Sequence, residues 1–174
     1  MNIAVGRPEP TEYVPYFDRY ISLVSSGDIL VQLERQMETT LPFLGTISEA
    51  ASRFRYAPDK WSIREVVGHV IDTERIMAYR ALRFARADQT PVEGFEQDDY
   101  VKHASFDDCP LLDLARELQS VRKANLHFFR SLNDAAWLRR GLASKNEVSV
   151  RALAYIIAGH ELHHLEVLRT LYAK

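Results

Sequence analysis

The chain has 174 residues, with 22 Lys and Arg against 24 Asp and Glu, a formal net charge of −2, 47% hydrophobic and 26% charged residues. This length suits one domain, residues 1–174, and lets a chain bury roughly 70% of its unfolded surface without covalent staples. The charge balance argues against a general nucleic-acid binder, which carries a basic face, and no apolar run approaches membrane-spanning length. The single cysteine, Cys109, excludes an internal disulfide framework. It sits beside Asp107, Asp108 and Pro110, and is not read as an activated nucleophile. The N-terminus, with Arg7, Glu9, Glu12 and three prolines, does not read as a signal peptide, so a cytoplasmic protein is expected.

Residues 1–28 are rich in Pro and Tyr and should form an extended or loosely helical segment, pinned to the body by Tyr13, Tyr16, Phe17 and Tyr20. Asp28 can cap a first helix from Ile29 toward Ile47, whose Leu30, Leu33, Met37, Leu41 and Leu44 keep helical spacing. Pro42 is placed to kink or end it. A second helix opens on Ser62-Ile63-Arg64-Glu65, the pattern of a capping box, and should reach about Ala87. Arg75, Arg80, Arg83 and Arg86, interleaved with Glu74 and Asp88, read as a solvated or interface face rather than an anion site.

Gln89 to Phe106 is a connection long enough to be functional. A third helix begins between Asp108 and Pro110 and runs through Leu114, Leu118, Val121, Leu126 and Phe129 to Leu132. Asn133 to Leu138 can form one short turn of helix. Ser149 caps a fourth helix lasting to about Tyr172. No strand and no internal repeat is evident. The expected fold is all-α: four long amphipathic helices packed as a bundle.

The fourth helix carries the chemistry. His160 and His164 lie one turn apart, on the face that also carries Leu153, Ile157, Leu168 and Leu171. Two imidazoles so placed can share one metal ion. His163 is also within one turn of His160, and the helical wheel does not choose between His163 and His164. His69, near the front of the second helix, supplies a third imidazole. Three neutral imidazoles suit Zn, Ni, Cu or Fe and leave a coordination position open, where a metal can activate water or hold a thiolate. The alternative is a set of core histidines bonded to nearby polar groups. Asp72, three residues after His69, is a candidate to orient that ring or accept a proton, or is simply a surface aspartate. Glu74 and Glu161 read as helix-surface charges or partners of arginine. His103 and His127 are not read as ligands. Asp98, Asp99 and Tyr100 are weak candidates for the rim of an entrance.

Lys60-Trp61-Ser62-Ile63-Arg64-Glu65-Val66-Val67-Gly68-His69-Val70-Ile71-Asp72-Thr73-Glu74-Arg75 resembles the second helix of the DinB/YfiT-like superfamily, and Gly159-His160-Glu161-Leu162-His163-His164 resembles its last-helix histidine motif. The N-terminal Arg7-Pro8, Glu12-Tyr13, Pro15-Tyr16 and Tyr20-Ile21 to Gly27-Asp28 is similar to one bacterial subgroup, so the resemblance covers nearly the whole chain. It implies a four-helix bundle with long crossover connections. It further implies one divalent metal, commonly nickel or zinc, with iron or manganese compatible. By position the ligands are His69, His160 and His164, which favours His164 over His163. Relatives include homodimers, thiol-dependent S-transferases or isomerases that use low-molecular-weight thiols, and proteins described as metal-dependent hydrolases. The resemblance therefore implies a small-molecule substrate and a metal-dependent transferase or hydrolase. The competing reading is a non-catalytic, stress-related metal-binding or assembly protein.

Overall fold

The computed structural model describes residues 5–172; the first four residues of the N-terminal segment and the last two of the chain lie outside the described residues. The helices are α1 (Asp18–Ile21), α2 (Ile29–Gly45), α3 (Ile63–Ala85), α4 (Gln97–His103), α5 (Leu111–Arg130), α6 (Asp134–Leu138) and α7 (Val150–Val167). A two-stranded antiparallel hairpin, β1 (Arg140–Ala143) and β2 (Asn146–Ser149), precedes α7. Single 3₁₀ turns lie at Pro10–Glu12 and Pro15–Phe17 ahead of α1, and a π-helical turn, Leu168–Tyr172, follows α7.

The helix starts follow local chemistry. Asp28 accepts from Leu30 N at 2.9 Å, Ser149 accepts from Ala152 N at 3.0 Å, and Asn133 accepts from Ala136 N at 2.9 Å. The capping box at α3 is closed in both directions, Glu65 N to Ser62 Oγ at 3.1 Å and Ser62 N to Glu65 Oε2 at 2.7 Å. Pro42 does not terminate α2, which runs through it to Gly45.

The four long helices form the bundle. α3 packs between α7 and α5, while α2 packs against α5 and α7, so the consecutive pairs α2/α3 and α5/α7 lie across the bundle from each other. Such an arrangement requires long connections, and those after α3 and α5 carry structure of their own: α4 in one, α6 and the hairpin in the other. Helix α7 is enclosed on nearly all sides from Val150 to Glu161, as expected for the central element of the core. Gly159 makes this enclosure close: a Cβ there would lie 2.1 Å from the carbonyl oxygen of Tyr20, so the backbone of α1 rests directly on α7.

Four expectations are corrected. The hairpin has no strand-like stretch to announce it, because each strand has only four residues. Its turn places Ser144 and Lys145 at φ +50° and +65°, positions that Gly, Asn or Asp normally mark. Leu171, assigned to the apolar stripe, is exposed, because the helix changes to π spacing at Leu168 and rotates the stripe. Tyr16 is exposed as well; Tyr20 and Ile21 are the residues that enter the core. Finally, Arg80 and Glu74 are not on a solvated face. Both are buried.

Glu74 belongs to a buried ionic cluster at the centre of the bundle. Arg122 donates to both carboxylate oxygens of Glu74, at 2.8 and 2.9 Å, and to Glu161 at 2.6 Å. The three side chains are 1–2% exposed. The remaining donors and acceptors are used as well: Arg122 also reaches Leu33 O at 2.8 Å, Asn125 donates to Glu74 at 3.1 Å, and the Thr40 hydroxyl donates to Glu161. One residue of each long helix (Thr40, Glu74, Arg122 and Glu161) thus meets in a single network. Such saturation is what a buried charge needs to be tolerated.

Candidate metal centre

His69 is in the second turn of α3, and His160 and His164 are in the second half of α7. The α3–α7 contact brings them together. His69 Nε2 lies 3.0 Å from His160 Nε2, and His164 Nε2 lies 3.1 Å from the same atom. One ring nitrogen from each of the three falls within 4.8 Å of the others. Neighbouring aromatic rings fix the imidazoles: Trp61 lies 4.8 Å from His69, and Tyr20 meets the ring of His160 edge-on at 5.3 Å.

Burial sets the charge of the cluster. His69 and His160 are 4% and 6% exposed, and His164 is partly exposed. Burial pushes His69 down to about 4. Burial, followed by the neighbouring His69 and His163, pushes His164 down to about 3. His160 is held well below its ordinary 6.5 by burial and then by the other histidines. All three rings are therefore neutral at pH 7, the form in which imidazole is a ligand.

Valence then becomes decisive. A neutral ring nitrogen has a single in-plane site, either an N–H or a lone pair. His160 Nε2 can satisfy only one of its two neighbours by a linear hydrogen bond. A shared cation resolves the conflict, because it accepts all three lone pairs at once. Two nitrogens each about 2.1 Å from one cation are separated by roughly 3.0–3.4 Å at octahedral to tetrahedral angles. The two separations from His160 Nε2 fit that range and the third pair lies within 4.8 Å, so the cluster could hold a metal ion.

His163 is half-buried against Tyr20, at 5.5 Å between rings, and stands outside the cluster. His103 and His127 are exposed. Asp72 is half-buried and pairs with Arg75 at 3.7 Å; no hydrogen bond joins it to His69 among the described residues. Burial raises its carboxyl above the ordinary range, Arg75 lowers it and Glu117 raises it. Asp98, Asp99 and Tyr100 are exposed on α4, which packs on α3. His164 Nδ1 is buried without a partner among the described residues. Among the described residues no carboxylate is hydrogen-bonded to the ring of a cluster histidine. Instead Glu161, the residue after His160, is anchored by Arg122.

Arg122, Thr40 and Gln36 belong to no sequence motif. Arg122 falls in register with Leu118 and Leu126, on the apolar stripe of α5, and that position was its signal.

Fold and site together define a four-helix bundle with a three-histidine cluster between two of its helices. The sequence pattern of the DinB superfamily matches residues 32–168, and the chain belongs to that family. No curated protein matches the chain by sequence. Among solved structures, YfiT from Bacillus subtilis, described as a probable metal-dependent hydrolase with an unusual four-helix bundle topology, aligns over 96% of this chain and 97% of its own, with TM-score 0.62 and 15% identity. The mycothiol-dependent maleylpyruvate isomerase aligns over 79% of this chain, with TM-score 0.65 and 11% identity. This chain spans only 58% of the isomerase. At these identities the likeness is one of fold. No helix among the described residues is long and apolar enough to cross a membrane.

Proposed function

We propose that the chain is a metal-dependent enzyme acting on a small molecule, with one divalent cation held by His69, His160 and His164. The observation that carries this reading is the convergence of three neutral ring nitrogens on one point, with His160 Nε2 3.0 and 3.1 Å from the other two. A divalent cation there would supply a Lewis-acid seat for water or for a thiol sulfur. Nickel or zinc suits a three-imidazole donor set best, and iron or manganese is compatible.

The protein's own contribution is positional. Burial keeps the imidazoles unprotonated, Trp61 and Tyr20 hold the ring planes, and the Arg122 network fixes α7. Asp72, with its raised carboxyl, is a candidate proton acceptor on α3, three residues after His69. The reaction is a thiol-dependent S-transfer or a hydrolysis, a choice supported by the fold shared with YfiT, described as a probable metal-dependent hydrolase, and with a mycothiol-dependent isomerase. A cytoplasmic homodimer with a low-molecular-weight thiol as co-substrate completes the proposal.

The test is an assay of metal-stripped, nickel-loaded and zinc-loaded protein, with and without such a thiol, on thiol-acceptor and ester or amide substrates. Thiol-dependent turnover that is lost on chelation supports S-transfer. Thiol-independent turnover with the same metal requirement supports hydrolysis. The deep burial of His69 and His160 favours a second reading, a non-catalytic metal-binding or assembly protein. A filled coordination sphere, with no exchangeable water by relaxation measurements and no turnover, would select it.

A further inference from the structure

Three arginines are buried in the described structure: Arg64, Arg80 and Arg122. Arg64 pairs with Glu49, and Arg122 pairs with Glu74 and Glu161. Arg80, only 4% exposed, has no carboxylate within ion-pair reach among the described residues. Its Nη2 donates to Glu93 O at 3.0 Å and to Ser144 Oγ at 3.1 Å, and its Nη1 faces Met77 Sδ at 3.7 Å. Its Nε is buried and has no acceptor among the described residues. A buried guanidinium answered only by neutral groups is costly, and an unmade hydrogen bond adds to that cost.

Arg80 also lines a cavity of about 210 Å³ between the N-terminal segment, α3, the hairpin and α7. Phe17, Met77, Val148 and Leu153 give it apolar walls, and Ser144 and Asn146 give it a polar side. The carboxylate at this wall is Glu147, already engaged by Arg140 at 2.8 Å. The hairpin turn puts Ser144 against Arg80 by holding two non-glycine residues at positive φ.

We propose that this cavity is an anion-binding site, in which Arg80 anchors the carboxylate or phosphate group of a small ligand whose apolar part lies against Phe17, Met77 and Leu153. An oxyanion supplies the counter-charge that Arg80 lacks, and a planar fork matches carboxylate or phosphate well. The assignment is independent of the metal reading. Arg80 is eleven residues beyond His69 on α3, roughly 16 Å along the helix axis, and none of its partners is a cluster histidine.

The experiment follows arginine Nε–H resonances of the full-length ¹⁵N-labelled protein, titrated at constant ionic strength with sodium acetate and, separately, sodium phosphate. A chloride titration serves as the control. One resonance, missing in Arg80→Lys, should shift saturably with at least one oxyanion; acetate alone marks a carboxylate site and phosphate alone a phosphoryl site. In Arg80→Lys the apparent affinity, followed in the same titrations by the backbone amide resonances of Ser144 and Glu147 at the cavity wall, should fall by about tenfold or more. Should that variant not fold, Asn146→Trp fills the cavity from an exposed position and should abolish the shift. No saturable shift in the wild-type protein, or an unchanged response in the variant, overturns the proposal.

Discussion

Arg122 donates to Glu161 at 2.6 Å, and Glu161 directly follows His160 in α7. The central histidine of the cluster is therefore one residue from a buried ion pair that fixes how α7 is rotated. Because Arg122 also grips Glu74 on α3, five residues after His69, the same guanidinium locks together the two helices that carry all three histidines.

That relationship predicts a large cost for removing the cation. Arg122→Met leaves two carboxylates buried without a counter-charge, and should destabilise the protein by about 3–5 kcal/mol in urea unfolding. Glu161→Gln keeps a polar side chain for Thr40 and leaves Arg122 paired with Glu74. It should cost less, while loosening α7 enough to weaken metal affinity. Equal effects of the two variants on stability would contradict this division of roles.

His163 and His164 are neighbours in sequence, but only His164 stands in the cluster with His69 and His160. His164→Ala should abolish stoichiometric metal binding, measured by titration of metal-stripped protein followed by elemental analysis. His163→Ala should leave it largely intact, since its ring rests on Tyr20 outside the cluster. The reverse outcome would reassign the third ligand.

Gly159 should tolerate no side chain. A Cβ at 2.1 Å from the Tyr20 carbonyl must push α1 away from α7, so Gly159→Ala is expected to cost about 1–3 kcal/mol. Hydrogen exchange should show lost protection at Leu23 and Val24, whose amides bond within that turn. Wild-type protection in the variant would show that α1 can shift without loss.

Acid should release the N-terminal segment. Burial pushes the Glu12 carboxyl up, but hydrogen bonds from Arg151 and Ser149 more than offset it and leave the group below its ordinary 4.5. Arg151 Nε and Ser149 Oγ reach the carboxylate at 2.8 and 2.6 Å. A depressed carboxylate binds fewer protons folded than unfolded, so its contribution is fully present above pH about 4.5 and is lost as pH falls through the folded value. The stability gap between wild type and Glu12→Gln should therefore be constant near neutrality and narrow below pH 4.5. A gap that widens in acid would contradict the sign.

Much of this architecture was legible in the sequence because it rests on local chemistry. Asp28, Ser62, Asn133 and Ser149 mark helix starts through their side-chain oxygens, and the apolar spacing of Leu114, Leu118 and Leu126 marks a buried face. What was hidden depended on tertiary partners. Arg122 and Glu74 look like ordinary helix charges until each is seen to answer the other across the bundle. The hairpin was hidden because its turn uses Ser144 and Lys145, which lack the glycine signal. The spacing of His160 left the choice between His163 and His164 open; the geometry brings His164 into the cluster and leaves His163 outside it.

Anomalous scattering from crystals of metal-loaded protein, recorded at the absorption edge of the bound element, tests the central claim most directly. The account predicts one peak about 2.1 Å from the Nε2 atoms of His69, His160 and His164, with a coordination position left beside it. A peak elsewhere, or a fully loaded protein whose three rings contact no metal, would contradict it.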